Sequence, residues 1–152
     1  MQPSEIRKKV LSDHAVLRER LDALEALTRA AEGAGDSASA REELRLAGER
    51  FHEMLAQHMR WEDEHLGPAL LEADAWGPER LARLRQEHRE QREELAAFVE
   101  SLHDPDRSTR ELGAVLRDLA AWLRRDMQGE ETESVNAKVL RDDPIAVDVE
   151  AG

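Results

Sequence analysis

Apolar residues recur every three or four positions along four stretches of this 152-residue chain. Such spacing places the apolar side chains on one face of an α-helix. The four stretches span about residues 4–31, 40–73, 78–102 and 108–140. Since short turns separate them, we predict an all-α fold, an up-down-up-down antiparallel four-helix bundle over residues 1–140. Residues 141–152 are predicted to be an acidic flexible tail.

Capping and breaking residues mark the expected helix ends. Ser4 is placed to cap the first helix, and Ser108 with Glu111 has the pattern of a capping box before the fourth. The pair Gly67-Pro68 falls inside the second stretch and predicts a kink there. We expect the fourth helix to end near Leu140.

Polar residues interrupt each apolar face at the same height of the predicted bundle. Where the spacing calls for apolar side chains, the chain has histidines or carboxylates. Counted at about 1.5 Å per residue from the helix ends, these positions fall in one layer to within about one turn. Burying such groups without partners is costly, so the layer indicates a metal site. The candidate ligands are His14, His58, Glu62, His88, Asp126 and Glu130.

An internal repeat places the same positions in both halves of the chain. The aligned segments are Asp13–Leu21 with Glu87–Leu95, and Phe51–Asp63 with Leu119–Glu131. Each copy of this helical hairpin supplies one histidine from its first helix and two polar residues, four apart, from its second. Asp126 stands where the first copy has His58. Two independent appearances of one pattern strengthen the prediction of a shared site.

Composition and charge narrow the class of function. The formal charge of −12 argues against binding nucleic acid or an anionic membrane surface. No apolar run approaches the ~20 residues of a membrane span. The absence of cysteine excludes disulfides, iron–sulfur clusters and thiolate-bound zinc, and fits a reducing cytoplasm. We therefore expect a cytoplasmic monomer whose partner is a small molecule.

Three histidines and three carboxylates inside a helical bundle suit iron or manganese, with zinc also compatible. Two ions bridged by carboxylates would lie about 3.5 to 4 Å apart and could act together on one small ligand. The donor types alone leave open whether one ion or two are held.

Two short patterns carry a family resemblance. The residues are Asp13, His14, His58, Glu62, Glu87 and His88, together with the run His-Met-Arg-Trp-Glu-Asp-Glu-His-Leu-Gly-Pro-Ala-Leu at 58–70. Over about residues 5–140 the chain resembles the hemerythrin-like (HHE cation-binding) family. The resemblance implies a four-helix bundle with a carboxylate-bridged non-haem di-iron site that binds or reacts with O₂, peroxide or nitric oxide.

Departures from the family pattern bear on the chemistry. The family commonly has a second histidine four residues after the position of His88, where this chain has Arg92, and a histidine at the position of Asp126. Its helix-four carboxylate corresponds to Glu130 by the repeat or to Glu131 by a longer spacing, and we favour Glu130. The resemblance associates reversible oxygen binding with five histidines and two carboxylates. A more anionic set favours ferric iron, and hence oxidative or peroxidase-like chemistry, or sensing, over reversible O₂ carriage.

A second hypothesis comes from a different class. The chain is then a non-catalytic module that holds iron, zinc or manganese, or a degenerate bundle that uses the polar layer structurally. Weaker candidate residues do not decide between the two hypotheses. His65 either contacts metal or lies at the rim, and it corresponds to Glu133 in the repeat. His52 is expected on the surface, and His103 at the end of helix three.

Overall fold

The computed structural model describes residues 1–143, and the regular secondary structure of that range is entirely helical. The elements are α1 (Pro3–Gly33), α2 (Ala38–Trp61), a π-helical turn (Glu62–Leu66), α3 (Gly67–Ala73), α4 (Gly77–Leu102) and α5 (Thr109–Glu133). The all-α prediction is confirmed. None of the helices in this range is long and apolar enough to cross a membrane.

The long helices pack side by side around one interior. Helix α1 contacts α2 and α5, while α4 contacts α2, α3 and α5. Ion pairs between α1 and α5 join residues in opposite order along the two helices. They are Arg18 with Glu131, Glu25 with Arg124, and Glu32 with Arg117. At the other side of the bundle, Arg41 near the start of α2 donates to the carbonyls of Asp104 and Arg107, in the loop between α4 and α5, at 3.2 and 2.6 Å.

Two apolar clusters fill the interior, one on each side of a polar layer. The larger cluster includes Leu17, Leu21, Leu55, Leu95, Phe98, Leu116 and Leu123. The smaller consists of Ile6, Val10, Leu66, Leu70, Leu84, Val135 and Leu140. On α1 the buried residue His14 lies between Val10 of the smaller cluster and Leu17 of the larger. On α4, His88 likewise lies between Leu84 of the smaller cluster and Leu95 of the larger. The buried apolar residues of α2 and α5 belong to the larger cluster, and the chain enters the smaller cluster after these helices end, at Leu66 and Val135.

The first helix begins one residue before the predicted cap, so the prediction for Ser4 is wrong. Pro3 occupies the first turn, where a missing backbone N–H costs nothing, and the backbone N–H of Gln2 donates to Glu5 Oε2 at 2.8 Å. Ser4 lies inside α1 instead. Its backbone N–H and its Oγ donate to the Asp142 carboxylate at 2.8 and 2.6 Å.

Serine side chains cap two other helices. Ser108 Oγ accepts a hydrogen bond from the backbone N–H of Glu111 at 3.1 Å, at the predicted start of the fourth long helix. Ser37 Oγ does the same for Ala40 at the start of α2. Both serines satisfy a backbone donor that has no partner within its own helix.

Helix α5 ends at Glu133 rather than near Leu140. The side chain of Asn136 explains the early end, because its Oδ1 accepts from the backbone N–H groups of Lys138 and Val139, at 3.0 Å each, in competition with a helix. Leu140 nevertheless packs into the smaller cluster. Of the predicted tail, residues 144–152 lie outside the described residues.

The second predicted helix is interrupted by the π-helical turn, directly before the expected kink at Gly67-Pro68. The backbone N–H of Gly67 donates to the carbonyl of Glu62, five residues back. Since Pro68 has no backbone N–H, the regular α-helical ladder is already broken at this point. The wider turn holds one more residue than an α-helical turn, so it changes which side chains face the interior after Leu66.

Gly77, at the start of α4, allows α3 and α4 to approach closely. A Cβ at this position would lie 2.7 Å from the Leu70 carbonyl oxygen and would overlap that of Leu71. We expect Gly77→Ala to destabilise the fold by about 1–3 kcal/mol, because backbone must move to admit the methyl group. The free energy of unfolding by urea measures this. Gly33→Ala is the matched control, since a Cβ there meets nothing within 4 Å, and an equal loss in both variants would contradict the prediction.

Candidate metal centre

Four of the six predicted ligands converge in the polar layer. One side-chain atom from each of His14, His58, Glu62 and Glu130 lies within 4.8 Å of the others. His58 Nε2 is 2.9 Å from Glu62 Oε1, and His14 Nε2 is 3.2 Å from Glu130 Oε1. Helices α1, α2 and α5 and the π-helical turn therefore deliver two imidazoles and two carboxylates to one point.

The structure brings His88 to the edge of this group and leaves Asp126 beside it. His88 is fully buried on α4, with its Nε2 at 3.3 Å from Glu62 Oε1. Asp126 is half-buried, and its Oδ2 accepts a hydrogen bond from Gln91 Nε2 at 3.0 Å. Five of the predicted residues thus surround one centre, with Glu62 in contact with two of the histidines.

Each histidine of the centre is held by an acidic residue that the sequence analysis did not assign to this role. The Nδ1 atom lies within hydrogen-bond distance of the carboxylate, which leaves Nε2 directed at the centre. The pairs are His14 with Glu131 at 2.9 Å, His58 with Asp13 at 3.0 Å and His88 with Asp63 at 2.7 Å. A carboxylate on Nδ1 fixes the tautomer in which Nε2 can bind a metal, and it raises the basicity of that nitrogen.

Glu131, the alternative ligand in the sequence analysis, therefore supports His14, while Glu130 faces the centre. Burial acts to raise the pKa of Glu131, but hydrogen bonds from Arg18 and His14 outweigh it and hold the pKa below its usual value. Arg18 Nη2 lies 2.6 Å from Glu131 Oε2. The sequence signal for these supporting acids was their position, because each directly precedes or follows a residue of the polar layer.

The same three-part arrangement recurs around His88, with its acid taken from the first half of the chain. Arg92 Nη2 lies 2.9 Å from Asp63 Oδ2, and Asp63 in turn holds His88. In the internal repeat, Arg92 corresponds to Arg18 and Asp63 to Glu131. Arg92 is exposed and reaches the centre through Asp63 rather than directly.

Glu62 and Glu130 oppose each other electrostatically in the metal-free centre. Burial and the negative charge of Glu62 raise the pKa of Glu130 well above its ordinary value. Burial also acts on Glu62, but the close imidazoles of His58 and His88 prevail and lower its pKa. The two carboxylates therefore do not ionise together without compensation.

Among residues 1–143, three buried polar atoms of the centre have no partner in hydrogen-bond geometry, although two of them lie close to a neighbouring group: His58 Nε2, Glu62 Oε2 and Glu130 Oε1. An unsatisfied buried acceptor normally costs free energy, and here three belong to adjacent groups. A cation would satisfy the two oxygens and the nitrogen together and would neutralise the crowded carboxylates. These atoms fit the metal that a histidine and carboxylate donor set binds.

A cavity of about 20 Å³ adjoins the centre on the side of the larger apolar cluster. It is large enough for one water-sized molecule. The polar part of its lining comes from the centre and from Gln91 and Asp126. The apolar lining residues are Leu17, Leu21, Phe51, Leu55, Leu123 and Met127.

A second group of acids departs from the repeat. Asp13, which holds His58, corresponds to Glu87, and His58 corresponds to Asp126. Burial, followed by the charge of Asp126, raises the pKa of Glu87 to about 7. Burial raises the pKa of Asp126 as well. Where the first half has a carboxylate and an imidazole, the second half has two carboxylates.

The weaker sequence candidates lie outside the centre. His65 is half-buried and packs on Trp61, with 4.7 Å between the ring centroids. The π-helical turn moves His65 off the face that a continuous α-helix would give it. His103 Nε2 lies 2.7 Å from Glu49 Oε1, and Glu133 pairs with Arg83 on the surface.

Comparison with known proteins gave one match. The family model described as the hemerythrin HHE cation binding domain matches residues 6–136. That range contains every residue of the centre and every carboxylate that supports it. No curated protein and no solved structure matched the chain.

We expect Glu130→Gln to stabilise the metal-free protein at neutral pH. Folding raises the pKa of Glu130 above its ordinary 4.5, so its contribution to stability is present below pH 4.5 and is lost as the pH rises through the folded value. The neutral amide avoids this loss. In chelator-treated protein, melting temperatures from pH 5 to 8 should separate, with the variant higher by about 3 °C or more at pH 8.

The control is Glu94→Gln, which removes one charge from an exposed position of α4. Because both variants change the net charge equally, only the local effect differs. Parallel melting curves for Glu130→Gln and the wild type across this pH range would contradict the proposed crowding.

Proposed function

Because the chain belongs to the hemerythrin HHE cation-binding family, we propose that its buried centre holds non-haem iron as a di-iron site. The proposed activity is binding of, or reaction with, O₂, peroxide or nitric oxide. Oxidative or peroxidase-like chemistry, or sensing, is favoured over reversible O₂ carriage. We propose that the protein is a monomer whose partner is a small molecule, and that it binds neither nucleic acid nor a membrane.

One observation carries this proposal. Ligand atoms of two histidines and two glutamates lie within 4.8 Å of one another, and three buried atoms of this group lack hydrogen-bond partners within the described part of the chain. Ordinary packing does not leave several adjacent polar atoms unsatisfied. A metal ion supplies the missing interactions.

We further propose an up-down-up-down arrangement of four long helical units. These units are α1, α4, α5 and the run from α2 through the π-helical turn to α3. The support for this arrangement is the opposite order of the ion pairs between α1 and α5. A second support is the pair of contacts that join the start of α2 to the loop between α4 and α5. In such a bundle each long unit crosses the polar layer once, which is how residues far apart in sequence reach one centre.

Glu62 is the residue best placed to be shared by two ions. Its Oε1 lies 2.9 Å from His58 Nε2 and 3.3 Å from His88 Nε2, so it stands between an imidazole of each half. Asp13 and Asp63 hold those two rings through Nδ1. The chain's own groups thereby orient both imidazoles before any ion arrives, which lowers the cost of binding.

The acidic character of the second half supports oxidative chemistry. Iron bound here would supply electron transfer to the small ligand. Carboxylates stabilise the higher charge of ferric iron. In the second half, Asp126 and Glu87 occupy the positions that His58 and its supporting acid, Asp13, occupy in the first half. The apolar walls of the small cavity limit water and exclude larger substrates.

One observation favours the alternative, a non-catalytic module with a single ion. Asp126 is engaged by Gln91 and lies outside the group of four convergent ligands. Two imidazoles and two carboxylates also form an adequate site for one zinc or manganese ion. Metal analysis separates the two hypotheses.

We expect protein produced in iron-supplied cells to contain two irons per chain and to melt at a higher temperature than the chelator-treated protein. Metal bound only by the folded state stabilises it by mass action. His58→Gln should lose at least one iron and most of the stabilisation. His52→Gln, a change of the same kind six residues earlier on α2, should lose neither.

Elemental analysis and thermal melts give both readouts. One zinc or manganese per chain would favour the non-catalytic module. Identical melting temperatures with and without chelator, in protein shown to contain metal, would contradict a structural contribution from the centre.

We also expect Asp126→His to raise the reduction potential of the iron-loaded protein and to slow its oxidation by O₂. The substitution restores the repeat with His58 and removes one negative charge from the second half. The measurement is a potentiometric titration with the rate of oxidation of the reduced protein.

Asp118→His is the control, because it makes the same change on an exposed part of the same helix. An equal potential in the Asp126→His variant and the wild type would show that Asp126 is not a ligand. Repeated binding and release of O₂ by the wild type without oxidation would contradict the oxidative assignment.

A further inference from the structure

An open pocket of about 330 Å³ lies between α3 and α4, on the outside of the bundle. Its basic lining consists of Arg85, Arg89 and Arg92. Its apolar lining consists of Pro68, Leu71 and Leu81. Asp63, the residue that holds His88, completes the wall. The pocket therefore borders the metal centre without being part of it.

The charge of this pocket is opposite to that of the chain. The protein carries a formal charge of −12, yet three guanidinium groups meet one carboxylate here. Within residues 1–143, Arg85 makes no ion pair, and Arg89 donates only to the side-chain amide of Gln86. Within the described residues, no carboxylate pairs with either guanidinium group.

The internal repeat shows that two of these arginines are not required by the bundle. Arg92 corresponds to Arg18, and both hold a supporting acid of the centre. Arg85 and Arg89, however, stand where the first copy has Leu11 and Ala15. Helix α1, which corresponds to α4 in the repeat, therefore carries neither of these two charges.

We propose that this pocket binds a small organic anion through a carboxylate or phosphate group. The planar guanidinium groups of Arg85 and Arg89 match the oxygens of either group in paired hydrogen bonds. Leu71 has 45 % of its surface exposed, and it lies with Leu81 where a short apolar body of the ligand would pack. The volume suits a small molecule rather than a chain segment.

The bound anion also contacts the metal centre indirectly. Arg92 Nη2 is 2.9 Å from Asp63 Oδ2, and Asp63 Oδ1 is 2.7 Å from His88 Nδ1. An anion that attracts Arg92 competes with Asp63 for its hydrogen bonds. Binding of the anion therefore alters the hydrogen bonding of the His88 ring. It does not alter that of the His14 ring, which Glu131 and Arg18 support on the other side of the centre.

The test is an NMR titration of the full-length, metal-free protein with inorganic phosphate and, separately, with butyrate, at constant ionic strength. We expect saturable shifts at residues 81–92 and of the His88 ring, without shifts of the His14 ring. Binding of both probes supports the carboxylate or phosphate assignment as stated. Binding of phosphate alone would overturn the apolar part, and no saturable shift with either would overturn the proposal.

The matched variants are Arg85→Gln/Arg89→Gln and Arg29→Gln/Arg110→Gln, which remove equal charge from the pocket and from exposed positions elsewhere. The first should weaken binding at least tenfold, and the second less than twofold. Equal weakening would show general charge attraction and overturn the site. Since no metal is present in this experiment, its result does not depend on the proposed function of the centre.

Discussion

The structure depends on the compensation of two carboxylates at its centre. Glu62 lies in the π-helical turn and Glu130 in α5, their side chains are only 3 % and 10 % exposed, and among residues 1–143 each has a carboxylate oxygen without a hydrogen-bond partner. Two such charges repel strongly where water cannot screen them. Burial and the charge of Glu62 raise the pKa of Glu130, so protonation of Glu130 is the response open to the metal-free protein, and a cation would relieve the repulsion more completely. The apolar clusters on both sides hold the helices close enough for the conflict to persist.

Around this pair the chain is built as two nearly equivalent halves. In each half, an arginine and a histidine are joined by an acid from the other half into a chain of contacts from the surface to the centre, through Arg18 and His14 in one and Arg92 and His88 in the other. The equivalence ends at Asp126, which replaces an imidazole. Its neighbours therefore differ from those of His58, and one half of the centre is more acidic than the other.

Periodicity predicted the helices and the polar layer because the interior of a bundle tolerates few polar residues. A histidine at a buried position such as His14 or His88 is conspicuous against a run of leucines. The supporting acids, Asp13 and Asp63, were harder to recognise, because they lie beside the interior face and 37 % of the chain is charged. Their roles depend on which helix is adjacent, and that information is not local in sequence. The position of Asp126 beside the centre was not predictable for the same reason, because it depends on a hydrogen bond from Gln91 of α4.

The π-helical turn at Glu62–Leu66 lets the residues before it face the larger apolar cluster and the residues after it face the smaller one. One additional residue rotates everything that follows by about 100° relative to a continuous α-helix. Leu66 and Leu70 reach the smaller cluster in that rotated frame, while Leu55 and His58 keep the frame of the larger cluster. Deletion of a single residue within the turn would leave every upstream contact intact and turn the downstream face toward solvent. Length variation among related sequences is therefore expected to avoid this turn and to accumulate in the loop before α2.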